Sequence, residues 1–231
     1  MLILIVTVAV SFVFVVITRN ATIAEIGKAR KEVLSQINTR IQITRGNMIS
    51  LSNLIYNDRK IMEAMRCDEN DSDLLQDVAV SCENYIQAYM DFGTEMYLIL
   101  CNDSGLAYCS KEDFNYQYDR LDKCLWYSEV VNGRGENIWI SSYDDTFLSA
   151  QKHYVYSAAR SYPDSTTMNS KGLLLVTVPE RSLYDAYETA LSEDSQIFVL
   201  DETGRVVSHS DQRLVGLNYY DMERFYEITD G

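Results

Sequence analysis

The chain repeats part of itself at a displacement of 99 positions. Leu98-Ile99-Leu100-Cys101-Asn102-Asp103-Ser104-Gly105 aligns with Ile197-Phe198-Val199-Leu200-Asp201-Glu202-Thr203-Gly204. Each copy reads as an apolar strand, a polar turn closed by Gly, and a second strand, at residues 106–109 and 205–208. Gly closes such a hairpin because it enters the left-handed region without a Cβ penalty. The same displacement carries Trp126-Tyr127 onto Phe225-Tyr226. Two matches in one register point to tandem copies of a single α+β module.

The first copy can be followed further. Residues 119–131 read as a helix, with Asn132-Gly133 as its stop. Three strands are predicted at 137–143, 153–161 and 172–178, completing an antiparallel sheet with the opening hairpin. Residues 179–191 read as a linking helix with Pro179 at its start. The second copy begins near Gln196 and by analogy needs roughly fifty residues beyond Phe225. The chain ends at Gly231, so an incomplete second module is expected.

Upstream, residues 21–65 contain no Pro, and Gly46 is where a break is expected. Ile26, Val33, Ile37, Ile41, Thr44, Met48, Leu51 and Ile55 recur at helical spacing. A helix of about 45 residues extends about 70 Å, far more than a small domain needs. It suits a rod that carries a displacement or a stalk that dimerises. A second helix is predicted over 73–90, capped by Asp71 or Ser72, with Leu74, Leu75, Val78, Cys82, Tyr85, Ile86 and Tyr89 on its apolar face.

Residues 1–17 are apolar apart from Thr7 and Ser11, and Arg19-Asn20 end the run. Seventeen helical residues reach about 26 Å, enough for a hydrocarbon core. A cleaved signal peptide would show a basic start and a small-residue cleavage site, and neither is present. Arg19, Lys28, Arg30 and Lys31 follow the run, so local charge alone would put that side in the cytoplasm. The reading adopted is the opposite one, with a cytoplasmic N-terminal segment expected ahead of the span. The domain organisation is then a transmembrane helix at 1–19, a signalling or stalk helix at 20–66, a membrane-distal module with its linking helix at 67–191, and the start of a membrane-proximal module at 192–231.

A net charge of -14 argues against a phosphate-binding surface, which needs a basic patch, so no nucleic-acid partner is expected. Asp68, Glu69, Asp71, Asp73 and Asp77 form a solvated face, and they lack the Gly and closing Glu of a calcium loop. The five cysteines form no CxxC pair. Cys101 and Cys109 flank the first hairpin and Cys67 and Cys82 a helix junction; each pair is a candidate bridge, with five small buried hydrophobes as the alternative. His153 and His209 lie on predicted strands, where neither suits phosphotransfer or metal binding. No triad or glycine-rich phosphate loop is present. No enzyme activity, cofactor or metal is expected of this chain.

The order of parts resembles the double Cache family of PAS-like extracytoplasmic sensor domains. The local matches are the hairpin from Tyr97 to Gly105, Trp126-Tyr127, the strand from Trp139 to Asp145, the hairpin from Ile197 to Gly204, and Val206-Val207-Ser208-His209-Ser210 followed by Leu214-Val215-Gly216. The resemblance is strongest to sensor histidine kinases of Gram-positive bacteria. It implies a ligand pocket between the distal sheet and its covering helix. In amino-acid-binding members an Arg two positions before Trp-Tyr clamps the ligand carboxylate; here that position is Cys124. A Tyr-x-Asp element occurs at Tyr143 and Asp145, whereas Lys171-Gly172-Leu173 offers no later Asp for a ligand amine.

The ligand candidates are therefore Trp126, Tyr127, Trp139, Tyr143, Asp145 and Arg160. The aromatic residues serve equally as core, Asp145 as exposed loop, and Arg160 as a surface ion pair. The expected function is sensing by a membrane-spanning receptor of the bacterial cell membrane. A small molecule or an extracytoplasmic binding protein would be the partner, and a homodimer the assembly. A sensor of a chemoreceptor or cyclic-dinucleotide enzyme, or a ligand-free anchored scaffold, are the alternatives.

Overall fold

The computed structural model describes residues 2–66, 72–89, 95–104, 107–111, 123–144, 154–164, 170–191 and 196–221. The chain divides into two units, Met1–Gln42 and Ile43–Gly231. Helix α1, Leu2–Tyr56, supplies the described part of the first and the opening of the second. Among the described residues no helix is long and apolar enough to cross a membrane. The side chains of residues 1–11, which make up most of the apolar run, lie outside them.

α1 passes through Gly46 without a break. A mid-helix Gly costs only about 1 kcal/mol, too little to end a helix that packing holds. The break falls at Asn57-Asp58 instead, where Asp58 restarts the chain as α2, Arg59–Arg66. Its Oδ1 accepts the amides of Lys60 at 2.9 Å and Ile61 at 3.1 Å, as an N-cap does. The Tyr85 hydroxyl of α3, Ser72–Tyr89, donates to Asp58 Oδ2 at 2.6 Å and fixes the two helices together.

The sheet has five antiparallel strands in the order β2-β1-β5-β4-β3. They are β1 Tyr97–Asn102, β2 Ala107–Cys109, β3 Ile138–Asp144, β4 Tyr154–Pro163 and β5 Ser170–Pro179. A short helix, α4 (Tyr127–Asn132), precedes β3. Residues 112–122, which include the start of the helix expected at 119–131, lie outside the described residues. Period-two alternation splits the core between the two faces. Leu98, Leu100, Tyr156, Ala158, Leu174 and Val176 meet Met48, Leu51, Ile55, Ile61, Met65 and Cys82 of the three helices. On the other face Tyr97, Ile99, Val155, Ala159, Leu173 and Leu175 meet Trp126 and Val130.

After β5, α5 (Glu180–Tyr184) is shorter than the helix expected at 179–191, because its end tightens. Ala186 and Tyr187 donate to the carbonyls of Leu183 and Tyr184, three residues back, and Glu188–Ala190 is a 3-10 turn. The second hairpin is β6 Phe198–Leu200 and β7 Val206–His209. Its turn-proximal pair Leu200↔Val206 matches Cys101↔Ala107 of the first hairpin. A bulge between Val199 and Leu200 then shifts the register, so Val199 faces Ser208 where the first hairpin sets Leu100 opposite Tyr108.

Candidate functional site

The face opposite the helices carries a chain of hydroxyls. β4 sets Ser157 opposite Thr177 of β5, and their oxygens lie 2.8 Å apart. The Tyr143 hydroxyl of β3 lies 2.7 Å from Ser157 Oγ. Ser157 and Thr177 are fully buried. The two links use two of the three hydroxyl protons. The third stays on whichever oxygen donates to neither link, Tyr143 or Thr177 at an end or Ser157 where it accepts both. Such a chain adapts to a ligand acceptor or a ligand donor by reversing.

Trp126 lies over this chain, its ring 5.5 Å from that of Tyr143 and tilted by 57°. It stands at the N-cap of α4, and Tyr127 and Cys124 pack against the same cluster. α4 ends where the Gly133 amide donates to the carbonyls of Glu129 and Val130. Arg134 at φ 48 and Gly135 at φ 90 then turn the chain into β3.

The sequence candidates separate. Trp126, Tyr127 and Tyr143 share this face. Trp139 lies on the other, stacked on Tyr156 at 5.2 Å with the Arg45 guanidinium 4.5 Å from its ring. Trp139 and Tyr143 are an even number of positions apart, which in a regular strand means one face. A bulge between Ile140 and Tyr143 reverses that relation. Arg160 belongs to the helix side. It donates through Nε to the Gly135 carbonyl at 2.7 Å and through a terminal nitrogen to Asn53 Oδ1 at 2.8 Å, and lies 3.7 Å from the Tyr56 ring. Burial lowers its pKa against the opposing pull of Tyr56 and Tyr162. Asp145 and His153 lie outside the described residues.

Ser157 and Thr177 were not singled out in the sequence. Their signal was a hydroxyl inside an otherwise apolar run, Thr177 within Leu173-Leu174-Leu175-Val176-Thr177-Val178 above all. Lys171 pairs with Asp103 at 3.5 Å. The hairpin register sets Cys101 opposite Ala107 and Cys109 opposite Ile99, a diagonal relation rather than the facing pair a bridge favours. Cys82, Cys101, Cys109 and Cys124 carry thiols, and Cys67 lies outside the described residues. Among the described residues no group of three or more His, Cys, Asp or Glu side chains is placed to hold a metal ion.

No family model and no curated protein matches this sequence. Solved structures do match in fold. The sensory domain of the Campylobacter jejuni chemoreceptor Tlp3, with isoleucine bound, superposes with a TM-score of 0.52 at 15% identity, over 86% of this chain and 75% of its own. The ligand-binding domain of the Pseudomonas aeruginosa amino-acid chemoreceptor PctC, in complex with GABA, gives 0.51 at 11% identity, over 82% and 77%. A methyl-accepting chemotaxis protein gives 0.57 at 10% identity, over 85% and 80%. The chain has the fold of a chemoreceptor sensory domain. At these identities the likeness is one of fold alone.

Proposed function

We propose that this chain is the extracytoplasmic sensing portion of a transmembrane signalling receptor, anchored by residues 1–19. It takes a small polar ligand against Trp126, Tyr127 and Tyr143. The observation that carries this is the Tyr143–Ser157–Thr177 hydroxyl chain under the Trp126 ring, on the sheet face that α1 does not occupy. Aromatic walls with a few convergent polar groups are what a ligand pocket requires. The fold likeness to domains crystallised with isoleucine and GABA supports ligands of that size. Cys124 at the position of the carboxylate clamp favours one held by hydroxyls and ring contact rather than by a guanidinium. The chain acts as a homodimer and takes no catalytic part. Its output is a histidine kinase on the sequence pattern; the like-folded chemoreceptors support a chemotaxis output at least as well.

The test is a thermal-shift screen of the chain in detergent, against amino acids including isoleucine and GABA, short peptides, sugars and organic acids. A ligand at a hundred times its Kd stabilises the folded state by about 2.7 kcal/mol, a shift of several degrees. Tyr143→Phe should weaken the hit about fivefold, the worth of one hydrogen bond. A hit undiminished in both Tyr143→Phe and Trp126→Ala would sink this site. A folded chain with no hit would replace the small ligand by a binding-protein partner.

A further inference from the structure

We infer that the turn at residues 133–137 is a coupling joint through which α4, the helix over the candidate ligand face, is tied to the last two turns of α1. The turn is held from two sides. The Gly135 amide donates to Ser161 Oγ at 3.2 Å, and its carbonyl accepts from Arg160 Nε at 2.7 Å. The same guanidinium donates to Asn53 Oδ1 at 2.8 Å and covers the Tyr56 ring, which in turn stacks on Tyr162 at 4.8 Å. Two positions further on, Asn137 Oδ1 accepts from Ser52 Oγ at 2.7 Å. Asn53, Ser52 and Tyr56 all belong to α1. One cation therefore joins the end of α4 to the helix on the opposite side of the sheet, at the β3–β4 edge.

Nothing in the turn gives way easily. Arg134 has φ 48, a conformation that a residue with a Cβ keeps only where surrounding contacts impose it, and Gly135 beside it has φ 90. A Cβ on Gly135 would meet the Tyr56 hydroxyl, so the turn and the α1 ring are in close contact. A displacement of α4 by a ligand at Trp126 must break the Arg160–Gly135 link or carry Asn53 with it. Packed elements with two discrete arrangements pass on a displacement in this way.

The purpose of the joint rests on the ligand reading above, but its test uses no ligand, so the two fail separately. In a Trp139→Phe background Trp126 is the sole tryptophan of the full chain. Asn53→Ala changes only α1, and Arg160→Met removes the bridging charge while keeping its stem. Loss of a charge-assisted hydrogen bond should speed amide exchange of residues 48–57 about tenfold. The joint requires that Trp126 emission and acrylamide quenching change as well, and that amides 127–132 exchange faster. Arg59→Ala, which breaks an exposed pair with Glu63, should move neither. If Asn53→Ala speeds exchange in α1 while Trp126 and residues 127–132 stay as in the parent, the joint is a static brace and the inference falls. Should Arg160→Met not fold, Asn53→Ala decides alone.

Discussion

A side chain at position 135 would be caught between two penalties. The backbone there has φ 90, and the added carbon would run into the Tyr56 hydroxyl. Gly135→Ala should destabilise the chain by about 1–3 kcal/mol, the usual cost of such a backbone conformation in a residue with a Cβ. Adding Tyr56→Phe should recover part of that loss, since it removes the nearest atom and leaves the dihedral cost. Urea midpoints of the four chains check this; no recovery in the double variant means the clash relaxes by itself. At this scale the sequence was partly legible. Trp126 stood out because the chain holds only two tryptophans, and Tyr143 because it opens a Tyr-x-Asp element. Ser157 and Thr177 did not, because a strand hydroxyl acquires meaning only from what faces it, and the facing pair is set by register. Arg160 was legible in principle, being an odd number of positions from Ser157 and so on the opposite face.

Among the elements, the break between α1 and α2 has an electrostatic cause that Gly46 lacked. Burial alone would raise the Asp58 carboxyl. The Tyr85 hydroxyl and the amides of Ile61 and Lys60, with the Lys60 charge, outweigh it and hold the pKa below the ordinary value. A carboxylate with a depressed folded pKa contributes stability that is complete above its unfolded value, about 3.9, and is lost as pH falls through the folded value. Asp58→Ala should therefore cost about 1 kcal/mol at neutral pH, with the loss shrinking in acid. Asp58→Asn keeps the cap oxygen and should lie between wild type and Asp58→Ala at neutral pH, without that acid dependence. Melting curves across the acid range distinguish the three chains. A gap between wild type and Asp58→Asn that stays constant into acid would show that the charge contributes nothing. Helix existence was read from periodicity; the position of the break depended on Asp58, whose second carboxylate oxygen is held by Tyr85, 27 residues away in sequence. The β3 bulge was hidden for a similar reason: it falls at Ser141-Ser142, and two serines in a row do not say which face either one takes.

On the scale of the whole chain, the repeat announced the second hairpin but not where it would dock. β7 is fastened to α5 through buried polar groups. Ser208 Oγ donates to Glu180 Oε1 at 2.6 Å, which leaves the Tyr187 hydroxyl, 2.9 Å away, to donate to Ser208. Glu180 also accepts from the His209 amide. Beside them the His209 ring is buried, stacked on Phe198, with Nδ1 accepting from the Asp211 amide. Burial raises the Glu180 pKa; Ser208, the His209 amide and Arg181 pull it down, Asp185 pushes it up, and the net shift is upward. A carboxyl with a raised folded pKa binds more protons folded than unfolded. Its contribution is complete below the unfolded value, about 4.3, and is lost as pH rises through the folded one. That slope is opposite to the one from Asp58. His209, whose pKa burial lowers against the pull of Asp211, has its own dependence, contributing stability above about 6.5 that is lost as pH falls. Glu180→Gln keeps an acceptor for Ser208 and carries no charge at any pH. Both chains retain His209, so its effect cancels in their difference. The melting temperature of wild type minus that of Glu180→Gln should fall as pH rises from the acid side to neutrality. A difference that stays flat would mean that Glu180 titrates as an exposed carboxyl does, and that its protonation has no part in fastening the hairpin.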